Sequence, residues 1–399
     1  MNRQSGLKMA LITGALLLAA GCAVDATKQE EGMARSAPDE QAIRASIEAL
    51  ELDPDEFPLL DCSTSAQPML ATVLAAIFDI PASWQSHGRG GLWRIQLTPQ
   101  ESEEGDQAEI HPGITRVIEG RPERVTLVRS EGGQEILAVS GTHDAYLNII
   151  KGERDLAIIA RKPSEDEKVL MKEHGVDLDI QTVALDAFVF IVRPDNPAED
   201  LTLEQVRDIF AGEITHWNEV VDGPERAITP YTRDRNSGSQ ELMISRVMKD
   251  RPFAEHARDD SVVMAMVGPM RAMERDRFGI SYSVHYYTRY MAPDLFALSF
   301  HAAPRREHET APPAERTRDV EAEDEAPSRT RMLAIDAVMP GPETIADGSY
   351  PLIEPVYLVT RRDLEDDAPA ARLRDWLLSP EGQAVVRKRA HPTNAYLVR

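Results

Sequence analysis

"EILAVSGTHDAYLNIIKGERDLAIIA", residues 135–160, holds the pattern on which the fold turns. A short apolar run at 136–139 reads as a strand, "DAYLNIIK" as a helix, Gly152 as its stop, and 156–160 as a second strand. The strand meets the helix through Ser140, Gly141, Thr142 and His143, a small hydroxyl-rich turn.

Outward from this unit the same alternation continues. Leu70, Val73, Leu74, Ile77 and Phe78 fall on one helix face. "AFVFIV" at 187–192, bounded by "RPDNP", is a continuous apolar run that suits a buried strand. "LTLEQVRDIFAGEITHW" reads as a helix with Thr202 as cap and Gly212 as exit. "YLVT" at 357–360 is a late strand, and "LRDWLLSPEGQAVVRKR" gives two final helices. Strands alternating with helices predict an α/β architecture with largely parallel sheets.

Two further turns resemble the one at 140–143. "DCSTSAQP" places Ser63, Thr64 and Ser65 ahead of the helix at 70–78. "TRDRNSGSQELMISRVM", 232–248, places Ser237, Gly238 and Ser239 at a helix start, with Arg233 four residues ahead of Ser237. Unpaired N–H groups at a helix start hold an oxyanion, hydroxyls add donors, and arginine adds a planar bidentate partner. Taken singly, each turn is also what an ordinary cap looks like, and Ser237 with Gln240 fits a capping box. Three of them at strand-to-helix junctions fit a ligand site outside the carboxyl ends of a sheet.

The rest of the chain narrows the function. A formal net charge of -23 over 399 residues argues against nucleic acid as a partner. Any anion must then be caught by short-range hydrogen bonds. Residues 1–21 read as a signal peptide, with Arg3 and Lys8 ahead of the apolar run 9–20. "LLAAGC" resembles a bacterial lipobox, which implies lipidation at Cys22 and a membrane anchor. Cys62 is the only other cysteine, so no disulfide framework is expected. Residues 22–58 read as an acidic tether with one short helix near 43–50, and "ESEEGDQAE" at 101–109 as a surface loop. The segment at about 301–331 reads as an exposed acidic insertion with the composition of a disordered stretch. No cofactor is implied, and His143 lacks the neighbours that a metal site needs. Trp217 and the aromatics of "SVHYY" are expected to pack in the core.

"DCSTS", "THDAYLNIIKGERDL", the block at 186–220, "YTRDRNSGSQELMISRVM", "FGISYSVHYY" and "LRDWLLSPEGQAVV" resemble the phosphate-binding receptors of bacterial ABC transporters. The resemblance runs in order from about residue 59 to the C-terminus. It implies a two-lobed periplasmic-binding-protein fold of the second type, with two mostly parallel-core sheets, a hinge, and an anion held between the lobes. Lobe 1 would take 59–188 plus 356–399 and lobe 2 would take 189–355, with crossings near 188 and 355. Ser63, Thr64, Ser65, Thr142 and His143 would serve phosphate from one lobe, and Arg233, Ser237, Gly238 and Ser239 from the other. The implied protein is an exported, monomeric lipoprotein receptor, not an enzyme, that delivers phosphate to an ABC permease or reports it.

The chain departs from the family pattern twice. Cys62 stands where glycine is common, and packs as a small hydrophobe or sits at the helix start as a reactive thiol. Ala160, Arg161 and Lys162 stand where phosphate receptors carry an aspartate that accepts the proton of phosphate. Either Asp61 or Asp144 replaces it, or selectivity against oxyanions such as sulfate is relaxed. Arg161 reads as a second cationic ligand or an exposed salt bridge, and His143 as a donor to the anion or a helix-start residue. The rival class is a hydrolase with Ser63 or Cys62 as nucleophile, which lacks a visible base or a G-x-S-x-G elbow.

Overall fold

A computed structural model describes residues 38–79, 134–254, 266–291 and 330–387, together with the backbone of short strands at 82–87, 92–97, 107–111, 114–118, 125–129 and 262–263. The signal segment, Cys22, the tether up to residue 37, the stretch 101–106 and the insertion at 301–329 lie outside the described residues.

The folded unit starts at Pro38, inside the segment expected to be a tether. Helix α1 (Glu40–Glu48) is capped by Asp39, whose side chain accepts from the Ala42 amide at 2.8 Å. Ile43 and Ile47 pack on the core, and Leu50 and Phe57 are buried in it. Residues 38–58 are therefore part of the fold rather than of a tether. Composition averages over an amphipathic helix and hides the face that packs.

Strand β1 (Leu60–Cys62) leads to α2 (Gln67–Ile77), which buries Leu70, Val73 and Leu74 as the spacing predicts. Antiparallel strands β2 (Ala82–His87) and β3 (Leu92–Leu97) form one pair. A separate antiparallel sheet holds β4 (Gln107–His111), β5 (Ile114–Ile118) and β6 (Val125–Arg129). Gln107, Ala108 and Glu109 thus open a strand where a surface loop was expected. The strand expected at 136–139 shrinks to a bridge, in which Leu60 donates to Ile136 O and accepts from Ala138 N.

Helix α3 (Thr142–Lys151), β7 (Leu156–Ile159), α4 (Glu165–His174) and the 15-residue strand β8 (Leu178–Val192) follow. Next come β9 (Asp200–Leu201) and α5 (Leu203–Ala211), with Thr202 as cap and Gly212 left-handed at φ 79°. Strands β10 (Thr229–Pro230) and β11 (Thr232–Arg233) precede α6 (Gly238–Leu242), which continues as a π turn over Met243–Met248. The remaining elements are β12 (Val262–Val263), α7 (Gly268–Arg275), β13 (Gly279–Val284), β14 (Arg331–Met332), β15 (Ala334–Ile335), α8 (Pro342–Ala346), β16 (Ile353–Arg361), α9 (Pro369–Leu378) and α10 (Pro380–Arg387). Arg331, expected at the end of the insertion, pairs with Val192 in the sheet.

The main sheet runs β1-β7-β16-β8-β13-β10, with β14 beside β8. Its outer pairs, β1/β7 and β10/β13, are parallel, while the inner pairs through β16 and β8 are antiparallel. Strand β8 pairs with β16 up to Ala187 and with β13 from Phe188, so it changes partner between two adjacent residues. Both sheet halves hang on this one strand. Its second half is buried on both faces, and Phe188, Phe190, Phe210 and Tyr282 form an aromatic cluster with centroids 5.4–6.3 Å apart. Each such ring contributes roughly 1.5–3 kcal/mol by burial. Trp217, Tyr286 and Tyr287 also pack in the core, as expected.

Candidate functional site

Parallel strands leave their carboxyl ends on one side, and the loops that follow collect there. Ser63 follows the last residue of β1, and Ala160 the last residue of β7. From the other half, Arg233 ends β11 and Val284 ends β13. These ends meet at a pocket of about 240 Å³. That is below the roughly 300–1,000 Å³ of pockets that take drug-sized ligands, and it suits a small ion.

All nine residues singled out from sequence line it: Ser63, Thr64, Ser65, Thr142 and His143 with Arg233, Ser237, Gly238 and Ser239. Ser140, Gly141, Asp144, Asp234, Asn236 and Met266 join them. The two groups touch. A Cβ built on Gly238 would lie 2.5 Å from Thr142 Oγ1, so the turn at 238 approaches the start of α3 closely enough to require glycine.

The hydroxyl-rich turns do not cap their own helices. Ser63 and Ser237 stand at N-cap positions without a side-chain capping bond. The capping box expected between Ser237 and Gln240 is absent, because Gln240 Oε1 instead accepts from the Arg233 amide at 3.0 Å and from the Tyr282 hydroxyl. Ser63 is 2% exposed, and its hydroxyl has no hydrogen-bond partner among the described residues. A buried hydroxyl left unpaired costs about 1–3 kcal/mol, which a ligand oxygen would recover.

Arg233 is 4% exposed. Its guanidinium lies 4.0 Å from Asp234 Oδ2 and 3.7 Å from Met266 Sδ. Burial lowers its pKa from the ordinary value, with Asp234 opposing, but a guanidinium keeps its charge in proteins.

Asp61 is not at the pocket surface. Its carboxylate accepts from Cys62 N at 2.7 Å, Ser140 N at 3.1 Å, Ser140 Oγ at 2.8 Å and Asn148 Nδ2 at 2.7 Å. It ties the turn after β1 to the turn before α3, and that role removes it as a substitute for the carboxylate missing at Ala160. Asp144 does line the pocket, as the exposed residue of the otherwise covered first turn of α3. Asp234 lines it too, and sequence reading missed it because it sits in the shadow of Arg233.

Arg161 is neither a ligand nor an exposed salt bridge. It is buried and donates two parallel hydrogen bonds to Glu167, Nη1 to Oε2 and Nη2 to Oε1, each 2.7 Å. Its guanidinium also lies over the Tyr146 ring at 5.6 Å. Glu167 is fully buried; it accepts from Ser164 N at 2.7 Å, and its Oε1 lies 2.9 Å from His143 Nδ1. Burial pushes the Glu167 carboxyl up, but the bonds and charge of Arg161, helped by Ser164 and His143, hold it below its ordinary value. The sequence signal for Glu167 was Ser164-x-x-Glu167, a capping box whose glutamate also reaches two other elements.

Cys62 is buried with its thiol toward Ala138 O at 3.7 Å, and burial raises its pKa well above the ordinary value, with Asp61 adding to the shift. It packs as a small hydrophobe and is not a reactive thiol.

Residues 136–381 match the family model of the PBP superfamily domain. A protein of Staphylococcus saprophyticus named phosphate-binding protein PstS is 24% identical over 249 residues, 61% of this chain and 67% of its own length. The protein of the same name in Borreliella burgdorferi is 22% identical over 209 residues, 51% of this chain and 62% of its own. A solved structure from Clostridium perfringens is provisionally described as a phosphate ABC transporter substrate-binding protein with bound phosphate. It superposes with a TM-score of 0.52 at 17% identity, covering 86% of this chain and 99% of that one.

Proposed function

This chain belongs to the PBP superfamily, and from that premise we propose that it is an exported receptor that captures inorganic phosphate. The observation that carries the reading is the pocket itself. Hydroxyl, amide and guanidinium donors from two separate stretches of the sequence converge on a space sized for a small ion. Relatives named for phosphate binding supply the ligand.

In this reading the lobes are 59–188 with 356–399, and 189–355, and the pocket is the cleft between them. The change of partner within β8 at 187/188, beside β16, supports a hinge there. Lipid at Cys22 would hold the receptor at the membrane surface, where it hands phosphate to an ABC permease or reports it. The protein acts as a monomer. A hydrolase reading has less support, because Cys62 is buried and Ser63 Oγ has no hydrogen bond to a base among the described residues.

Calorimetric titration of the ligand-free full-length protein with inorganic phosphate tests the reading, with Arg233→Ala alongside. Binding that weakens at least a hundredfold in the variant is expected. Absence of heat with the unaltered protein overturns the assignment.

A further inference from the structure

A receptor for phosphate has to refuse sulfate, which matches it in shape and charge. Hydrogen phosphate still carries a proton and sulfate does not, so a hydrogen-bond acceptor in the pocket separates them. The position at Ala160 offers only a methyl group.

His143 is built to supply the acceptor. It lines the pocket, with 28% of its side chain exposed. On its inner side Nδ1 meets Glu167, whose oxygens already accept from Arg161 Nη1, Arg161 Nη2 and Ser164 N. An ionised carboxylate can only accept, so Nδ1 carries the hydrogen of that contact. In the neutral ring Nε2 is then an acceptor. No described residue bonds it. Glu167 and Arg161 cancel each other's charge, so they fix the tautomer without adding net charge.

Resting on the phosphate reading of this pocket, we propose that His143 determines specificity. Its Nε2 accepts the hydrogen of the P–OH group, and Glu167 is the positioning residue that holds the hydrogen of the neutral ring on Nδ1. The site would thereby prefer tetrahedral oxyanions that retain a proton, phosphate and its arsenic analogue, over those that have none. The other carboxylates that line the pocket are Asp144, exposed on α3, and Asp234, which already lies against Arg233.

The test is titration of the full-length protein with phosphate and with sulfate at pH 8, above the ordinary imidazole pKa of about 6.5. The proteins are unaltered, His143→Asn, His143→Gln, Asp234→Asn and Asp144→Asn, the last expected to behave as Asp234→Asn does. Asparagine keeps a donor near the place of Nδ1 and removes Nε2, whereas glutamine puts an amide oxygen near the place of Nε2. The expected result is a phosphate-to-sulfate affinity ratio that falls at least tenfold in His143→Asn, recovers in part in His143→Gln and holds in Asp234→Asn. An unchanged ratio in both His143 variants overturns the proposal, as does a ratio that collapses in Asp234→Asn instead. Equal binding of both anions by the unaltered protein overturns it as well, while leaving an oxyanion pocket in place. Binding of neither anion overturns the phosphate reading and this proposal together.

Discussion

Among the described residues five hydroxyl side chains stand at the starts of helical segments, and they divide into two kinds; Ser379, which accepts from Gly382 N at 3.2 Å ahead of α10, belongs with the first. Ser164 and Thr202 do what a cap does. Thr202 Oγ1 accepts from Gln205 N at 3.1 Å while Gln205 Oε1 accepts from Thr202 N at 2.8 Å, and Ser164 exchanges the same pair of bonds with Glu167. Ser63 and Ser237 occupy the same position and make no capping bond. The first kind closes its helix end against the protein, and the second leaves donors facing a pocket. The residue type is shared; what differs is whether the hydroxyl accepts from its own helix start.

The largest effect expected within this comparison is on the capping side. Glu167→Ala removes a cap and strands Arg161 as a buried charge, so a loss of about 3–5 kcal/mol in urea denaturation is expected. A smaller loss would mean that Arg161 finds water. Asp186 sharpens the contrast between paired and unpaired buried acids. Burial first, and Glu354 across the strand pair second, push its carboxyl up to about 7, with the amides of Tyr286 and Ala187 opposing. A folded pKa raised above 3.8 gives stability that is complete below pH 4 and is lost as pH rises through 7. Asp186→Asn keeps an oxygen for both amides, so its stability should fall less than that of the unaltered protein between pH 5 and pH 8.

Gly238→Ala drives a methyl into Thr142, and a tenfold loss of anion affinity, about 1.4 kcal/mol, is expected in titration together with a lower melting temperature. Thr202→Ala should separate the two, costing about 1 kcal/mol of stability and leaving affinity untouched. Smallest of all is the stability effect of Ser63→Ala. Removing an unpaired buried hydroxyl leaves the melting temperature level or slightly raised, while affinity drops several-fold. A fall in melting temperature there would show that Ser63 has a structural partner after all.

The pocket was legible because its signals are local: a strand end, two or three small hydroxyl residues, a helix start. Strand β8 was legible only from residue 187, where it is buried on both faces. Its first half mixes buried and half-exposed positions, as in "LDIQTVALD", and reads as nothing definite. Glu167 was missed because its two other partners come from α3 and from the end of β7, and a capping box alone announces neither. The tether was over-extended because the apolar residues that pack, Ile43, Ile47, Leu50 and Phe57, are interspersed with acids, and only packing shows where they go.

The 15 residues of β8 carry a further consequence, for how the protein comes apart. One strand supplies neighbours to both sheet halves, so neither half can melt and leave the other with a complete edge. Heating should therefore give a single unfolding transition, with calorimetric and van't Hoff enthalpies in agreement.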